Sequence, residues 1–200
     1  MESKTAFLLA LAGNRHRDEA TILCSCYIEW LGLGLYGAND NSSHFRYVRA
    51  IVEHGGEGLL SYIHPKMLRD GLSKLTGKTA RAIIEKLSHM LTKPYGRVYS
   101  DEEFITIAMK TLTNPEADYL KKHLWKGTLA AVAYSIFRNS GVHAFGAPDS
   151  ISFDNTYTLD GRPIPNITFD MLHIYLTRIL TYAKEVSLRT GLWFGREDIF

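Results

Sequence analysis

The sequence predicts an all-α fold, a helical bundle with a small β-hairpin insertion between its last two major helices. Three observations predict it. Apolar residues recur at spacings of three and four along most of the chain. Capping residues such as Ser42, Ser100 and Asn114 punctuate these runs. The period changes after Gly146-Ala147-Pro148, where Ile151, Phe153 and the region to Ile167 alternate or are β-rich around Asp160-Gly161. The 200 residues suffice for one domain with a substantial core. No internal repeat, low-complexity tract or linker marks a second, so residues 1–200 are expected to form a single domain.

The elements follow in order. Glu2 to Leu11 reads as a short apolar helix. Asp18 to Tyr36 carries apolar residues on most sides, which predicts a central helix, and Gly37 to Asn41 ends it. Ser42 or Ser43 caps a helix running to about Val52, broken by Gly55-Gly56. Glu57 to Leu75 is a shorter helical stretch interrupted by Pro65. Lys78 to Leu91 is amphipathic, and Lys93-Pro94-Tyr95-Gly96 is a turn. Ser100 and Glu103 form a capping box that starts Asp101 to Leu112. Asn114 as cap, with Pro115 behind it, starts a helix running through Ile136 into Arg138. Asp160-Gly161 turns the hairpin, and Thr168 or Asp170 opens the last helix.

Composition limits the function classes. Hydrophobic residues make up 46% and charged residues 22%, the profile of a globular protein. A net charge of +2 argues against tight sequence-independent binding to duplex DNA, though a local phosphate site is compatible with it. Cys24 and Cys26, two apart on a helix, face different directions and read as small core residues suited to a reducing cytoplasm. The start, Met1 to Gly13, has an apolar run at the minimum length for a secretory signal that would have to include its own cleavage site, and Glu2 weakens the basic region before it, so secretion is not expected. No segment approaches the roughly 18 apolar residues of a membrane span.

Several motifs dissolve on inspection. Gly71 to Thr79 resembles a P-loop, but five residues separate its glycines and no strand precedes it, so Gly77-Lys78-Thr79 reads as a helix start. The eight histidines show no metal-ligand spacing, and no metal or cofactor is expected. Asn14-Arg15-His16-Arg17 is a basic loop or helix end, either a solvated face or a secondary phosphate contact.

The chemistry concentrates in Phe137-Arg138-Asn139-Ser140-Gly141-Val142-His143-Ala144. Arg138 can neutralise a phosphate, His143 can move the proton of a 2′-hydroxyl, and Asn139 can orient either. These are the groups needed to cut RNA without a metal. An Arg at a helix C-terminus also complements the helix dipole, and a His beyond it caps carbonyls, so a structural role stays open. On a regular helix Arg138 and His143 lie about 140° apart in rotation and about 7.5 Å apart along the axis. That spacing suits a site assembled from two copies across a dimer axis better than one within a single chain. Gly141 marks a local irregularity. Tyr134, Phe137 and Phe145 are candidates to stack on bases, although aromatics beside a helix end more often belong to a core.

The Arg-Asn-x-x-x-His segment resembles the signature of the HEPN superfamily: an Arg, a polar residue, and a His four to six residues beyond the Arg. The resemblance covers about Glu116 to Arg189, the motif-bearing part, with a long apolar helix before the motif and a β-like insertion and amphipathic helix after it. It implies a helical domain that homodimerises in the cytoplasm and places paired motifs in a cleft. It implies a metal-independent endoribonuclease of toxin–antitoxin or anti-phage defence systems, with RNA as substrate and a separate antitoxin chain as partner. Carried over by position, Arg138 binds the scissile phosphate, His143 is general base or acid, and Asn139 orients the phosphate or the His. Other members bind RNA, nucleotide or protein without cutting, and that is the alternative reading.

Overall fold

Most of the chain is helical, with breaks that the apolar periodicity does not show. The computed structural model describes residues 2–13, 16–38, 42–56, 58–92, 96–141, 148, 150–153 and 157–191. In chain order these give α1 (Glu2–Gly13), α2 (Arg17–Tyr36), α3 (Ser43–His54), a 3₁₀ turn (Leu59–Ser61), α4 (Pro65–Ser73), α5 (Lys78–Lys86), α6 (Ser88–Leu91) and β1 (Gly96–Arg97). There follow α7 (Asp101–Ala108), α8 (Asn114–His123), a 3₁₀ turn (Leu124–Gly127), α9 (Leu129–Ala133) and a π-helical segment (Tyr134–Ser140). Four short strands, β2 (Ser150–Ile151), β3 (Tyr157–Leu159), β4 (Arg162–Pro163) and β5 (Ile167–Thr168), precede α10 (Phe169–Thr190). The chain is mostly helical with small strand pieces, as predicted. Its contacts divide it into two compact units, one of residues 1–57, 133–151 and 167–200, the other of residues 58–132 and 152–166.

The first unit is organised around α2. From Ala20 to Tyr36 no residue of this helix is exposed, because α1, α3, the π segment and α10 all pack on it. An apolar circumference requires such enclosure. Gly32 permits the crossing with α3, since a Cβ there would lie 2.8 Å from the Arg46 carbonyl oxygen. Ser42 Oγ accepts the Phe45 N–H at 3.3 Å and starts α3 as expected. At the other end Gly55 lies against the Tyr175 ring of α10, and Arg178 Nη1 donates to its carbonyl at 2.9 Å. Thr168 Oγ1 caps α10 through the Met171 N–H, and Gly191 ends it at φ 71. Ser150 and Ile151 pair antiparallel with Thr168 and Ile167.

The second unit buries Ile63, Leu68, Leu72, Ile83, Leu87, Phe104 and Leu120, among others, in one core. Pro65 does not interrupt a helix here but begins one, at a position whose N–H needs no partner. The predicted Lys78–Leu91 helix is split at Leu87 into α5 and α6. The cap of α8 is Thr113, one residue before the expected Asn114, with Thr113 N–H and Oγ1 donating to Glu116 at 2.8 and 2.9 Å. The long helix expected from Asn114 to Ile136 is broken. Gly127 and Thr128 leave the helical path, Thr128 Oγ1 accepts the Ala131 N–H at 3.1 Å, and Leu129 N–H turns to the Tyr62 carbonyl. A hydroxyl that caps a new helix competes with continuation of the old one. Asp160 (φ 51) and Gly161 (φ 75) turn the predicted hairpin. Gly96 and Arg97 add a parallel strand beside Tyr157 and Thr158. The predicted turn at Lys93–Tyr95 and the period change at Gly146-Ala147 lie outside the described residues. Among the described residues no helix is long and apolar enough to cross a membrane.

Two predictions follow from packing. Gly127 sits so close to α4 that a Cβ would lie 2.5 Å from Leu68 Cβ. Gly127→Ala is expected to destabilise the protein by about 1–3 kcal/mol, read from the urea midpoint at unchanged slope. The His54 ring stacks 3.7 Å from that of Tyr182. Burial holds its pKa below the ordinary 6.5, against the pull of Glu53 and with a smaller push from Arg49. The unfolded chain therefore protonates His54 first. Stability present above about pH 6.5 is lost as the pH falls toward the lower folded value, and His54→Phe is expected to flatten that part of a melting-temperature profile.

Candidate functional site

Arg138 lies within the π-helical segment Tyr134–Ser140 that continues α9. In a π turn the N–H reaches the carbonyl five residues back, and such turns concentrate at functional sites. The Gly141 N–H bonds to the carbonyls of Ile136 and Arg138, while Gly141 itself is ordinary right-handed helix at φ −60, ψ −45. The irregularity expected at Gly141 thus lies in the turn before it and includes the Arg. The regular-helix angles used above do not describe this stretch.

The buried face of the segment is apolar, with Phe137 fully enclosed. Its half-buried edge carries Arg138, whose Nε donates to Glu29 Oε2 on α2 and whose Nη2 reaches Glu29 Oε1 at 3.3 Å. The side chains are 26% and 15% exposed, so the pair is shielded from solvent without being sealed. Burial disfavours the charged guanidinium, but the hydrogen bond and charge of Glu29 more than offset this and raise its pKa. Two of the five guanidinium donors are used by Glu29. Asn139 is exposed beside it.

α3 completes the surroundings. The Tyr134 ring, 5.8 Å from Arg138 Cζ, stacks on His44 at 4.5 Å and meets Tyr47 edge-on at 5.2 Å. Burial and then Glu29 push the Tyr134 phenol up, against Arg138. Burial likewise raises the Cys26 thiol, with Arg138 drawing it down and Glu29 up. Arg46, 9% exposed, donates to Ser43 Oγ at 3.4 Å. Chemically this is an arginine fixed in orientation, with an amide beside it and a second guanidinium and an imidazole in the neighbouring helix. Such a fork suits a phosphate or a carboxylate.

The structure brings together Arg138 and Asn139 of the predicted set, while His143 lies outside the described residues. Phe145 does too. Tyr134 and Phe137 belong to the packed interior. His16 pairs with Glu19 at 3.2 Å and Arg17 pairs with Asp170, both in exposed positions. Arg15 lies outside the described residues. Glu29, His44 and Arg46 were missed by sequence reasoning. For Glu29 a signal existed, because it is the lone charge between Ala20 and Tyr36, and a carboxylate in an apolar helix requires a partner. His44 and Arg46 carried no comparable signal.

Comparison with protein families, curated proteins and solved structures gives no match for this chain.

Glu29→Ala is expected to strand the Arg138 charge and to cost about 1–3 kcal/mol, less than a fully buried pair because both groups retain some solvent. Glu29→Gln, which keeps an acceptor, is expected to cost less. Urea unfolding of the two variants against wild type measures both.

Proposed function

We propose that the protein is a metal-independent endoribonuclease of toxin or anti-phage type, acting in the cytoplasm as a homodimer. The observation that carries this reading is the Arg138 guanidinium, clamped by Glu29 on a π-helical turn with Asn139 exposed beside it. A fixed cation is what a phosphorane needs, because it requires no reorganisation as negative charge develops. In the proposed reaction His143 takes the proton of the 2′-hydroxyl. The 2′-oxygen attacks phosphorus, the bond to the 5′-oxygen breaks, and that oxygen leaves with the proton given back by the protonated His143. The products carry a 2′,3′-cyclic phosphate and a 5′-hydroxyl. Arg138 binds the non-bridging phosphate oxygens, and Asn139 orients the phosphate or His143. Two copies pool their motifs in a dimer cleft, and a separate antitoxin chain restrains the activity.

A second reading is favoured by one feature. Glu29 already satisfies one edge of Arg138, as it would in a non-catalytic dimerising domain that binds RNA, nucleotide or a protein partner. In that case the pair serves to tie the π segment to α2.

Purified protein with total RNA and EDTA separates the two. Under the first reading wild type cleaves and leaves cyclic phosphate ends. Arg138→Ala is expected to lower the rate by about 10²–10³, and His143→Ala by about 10²–10⁴. Intact RNA with all three proteins, each a folded dimer, removes catalysis and leaves the binding reading.

A further inference from the structure

The second unit holds a cluster of cations that the candidate site does not use. The chain from α8 into the following 3₁₀ turn carries Lys122, His123, Trp125 and Lys126 in close succession. α4 packs directly on that turn, and a Cβ on Gly71 would lie 2.7 Å from Lys126 Cβ. Lys74 is three residues on from Gly71, on the same side of the chain as α4 ends. Lys74 and Lys122 are exposed, whereas His123 and Lys126 are half-buried.

Aromatic rings interleave with these charges. Lys126 Nζ lies 4.3 Å from the Trp125 ring centre, and the Tyr119 and His123 rings are 4.6 Å apart. The nearby carboxylates are engaged elsewhere, Asp70 by Arg69 at 2.9 Å and Asp118 by Lys121 at 3.6 Å. Among the described residues Lys74, Lys122 and Lys126 form no ion pair. The cations in the group repel one another. Burial and then Lys74 draw the Lys126 pKa down, and burial followed by Lys126 and Lys122 draws His123 down. Like charges held together in this way are relieved by an anion.

We infer that Lys74, Lys122 and Lys126, with Trp125 and Tyr119, form a docking surface for single-stranded RNA, the lysines meeting successive phosphates and the rings meeting bases. Interleaved cations and aromatics are the recurring means of holding single strands without reading sequence. A net charge of only +2 then reflects local placement rather than a general lack of basic surface. The assignment of RNA rather than DNA rests on the proposed nuclease reading; the surface itself does not.

The test is binding of a fluorescent 2′-O-methyl uridine 12-mer, which cannot be cut by 2′-hydroxyl attack. Lys74→Gln combined with Lys126→Gln keeps most of each side-chain stem and is expected to weaken binding at least about fivefold in low salt. It is also expected to make the salt dependence shallower by about 1.4, two phosphates at about 0.7 each. The exposed pair Lys74→Glu and Lys122→Glu, which disturbs no packing, is expected to weaken binding further. Arg138→Ala is expected to lose cleavage of unmodified RNA while its binding of the 12-mer still falls when Lys74 and Lys126 are changed to Gln, so loss of cleavage and loss of docking are read separately. No binding by wild type, or unchanged affinity and salt slope in both lysine variants, overturns the proposal. Equal affinity for inorganic polyphosphate of matched charge also overturns it, reducing the surface to a patch for any polyanion.

Discussion

A single carboxylate in an apolar helix organises the first unit. α2 is enclosed by α1, α3, the π segment and α10, and within its enclosed length Glu29 is the one charge. Left alone there it would be costly. Arg138 neutralises it from the π segment, so the same contact that completes the packing of α2 also aims a guanidinium along a half-open edge. Stability and any phosphate chemistry therefore share one ion pair. The two functional readings differ only in whether a substrate joins it.

The π segment gives that pair its geometry. A chain that ran on as regular α-helix from Leu129 would turn Arg138 to a different side of the axis. One wider turn lets Phe137 stay fully buried while Arg138 reaches α2 and Asn139 stays exposed. Burial of a Phe side chain is worth about 1.5–3 kcal/mol, enough to offset the poorer hydrogen bonding of a π turn. Packing and the aim of the Arg are thus satisfied together.

Glycines set how closely the helices approach. Gly32 lets α2 and α3 cross with backbone near backbone, which brings His44 and Arg46 toward Tyr134. Gly127 does the same for the turn before α9 against Leu68, and Gly71 for Lys126. In the second unit these approaches gather lysines from elements about fifty residues apart in sequence. Neither close approach is visible in a hydrophobic pattern, because a glycine reads equally as a breaker or as a contact.

The linear sequence by itself determined that the chain is mostly helical, that α2 is central, that Ser100 starts a helix and that others start at Ser42 or Ser43 and at Thr168 or Asp170, with the structure choosing Ser42 and Thr168, and that Asp160-Gly161 turns a hairpin. These are local properties of periodicity, capping and allowed φ, and they need only neighbours in the chain. Arg138 and Asn139 stood out for the same reason, as chemistry packed into a short stretch. Tertiary structure decided the rest. It broke the expected Asn114–Ile136 helix at Gly127 and Thr128, because Leu68 and Tyr62 claim that backbone. It turned Pro65 from an interruption into a helix start. It chose Glu29 as the partner of Arg138, 109 residues away, since a charge in an apolar helix specifies the need for a partner but not its address. Long-range pairing depends on which surfaces are buried together, and that is settled only when the helices pack.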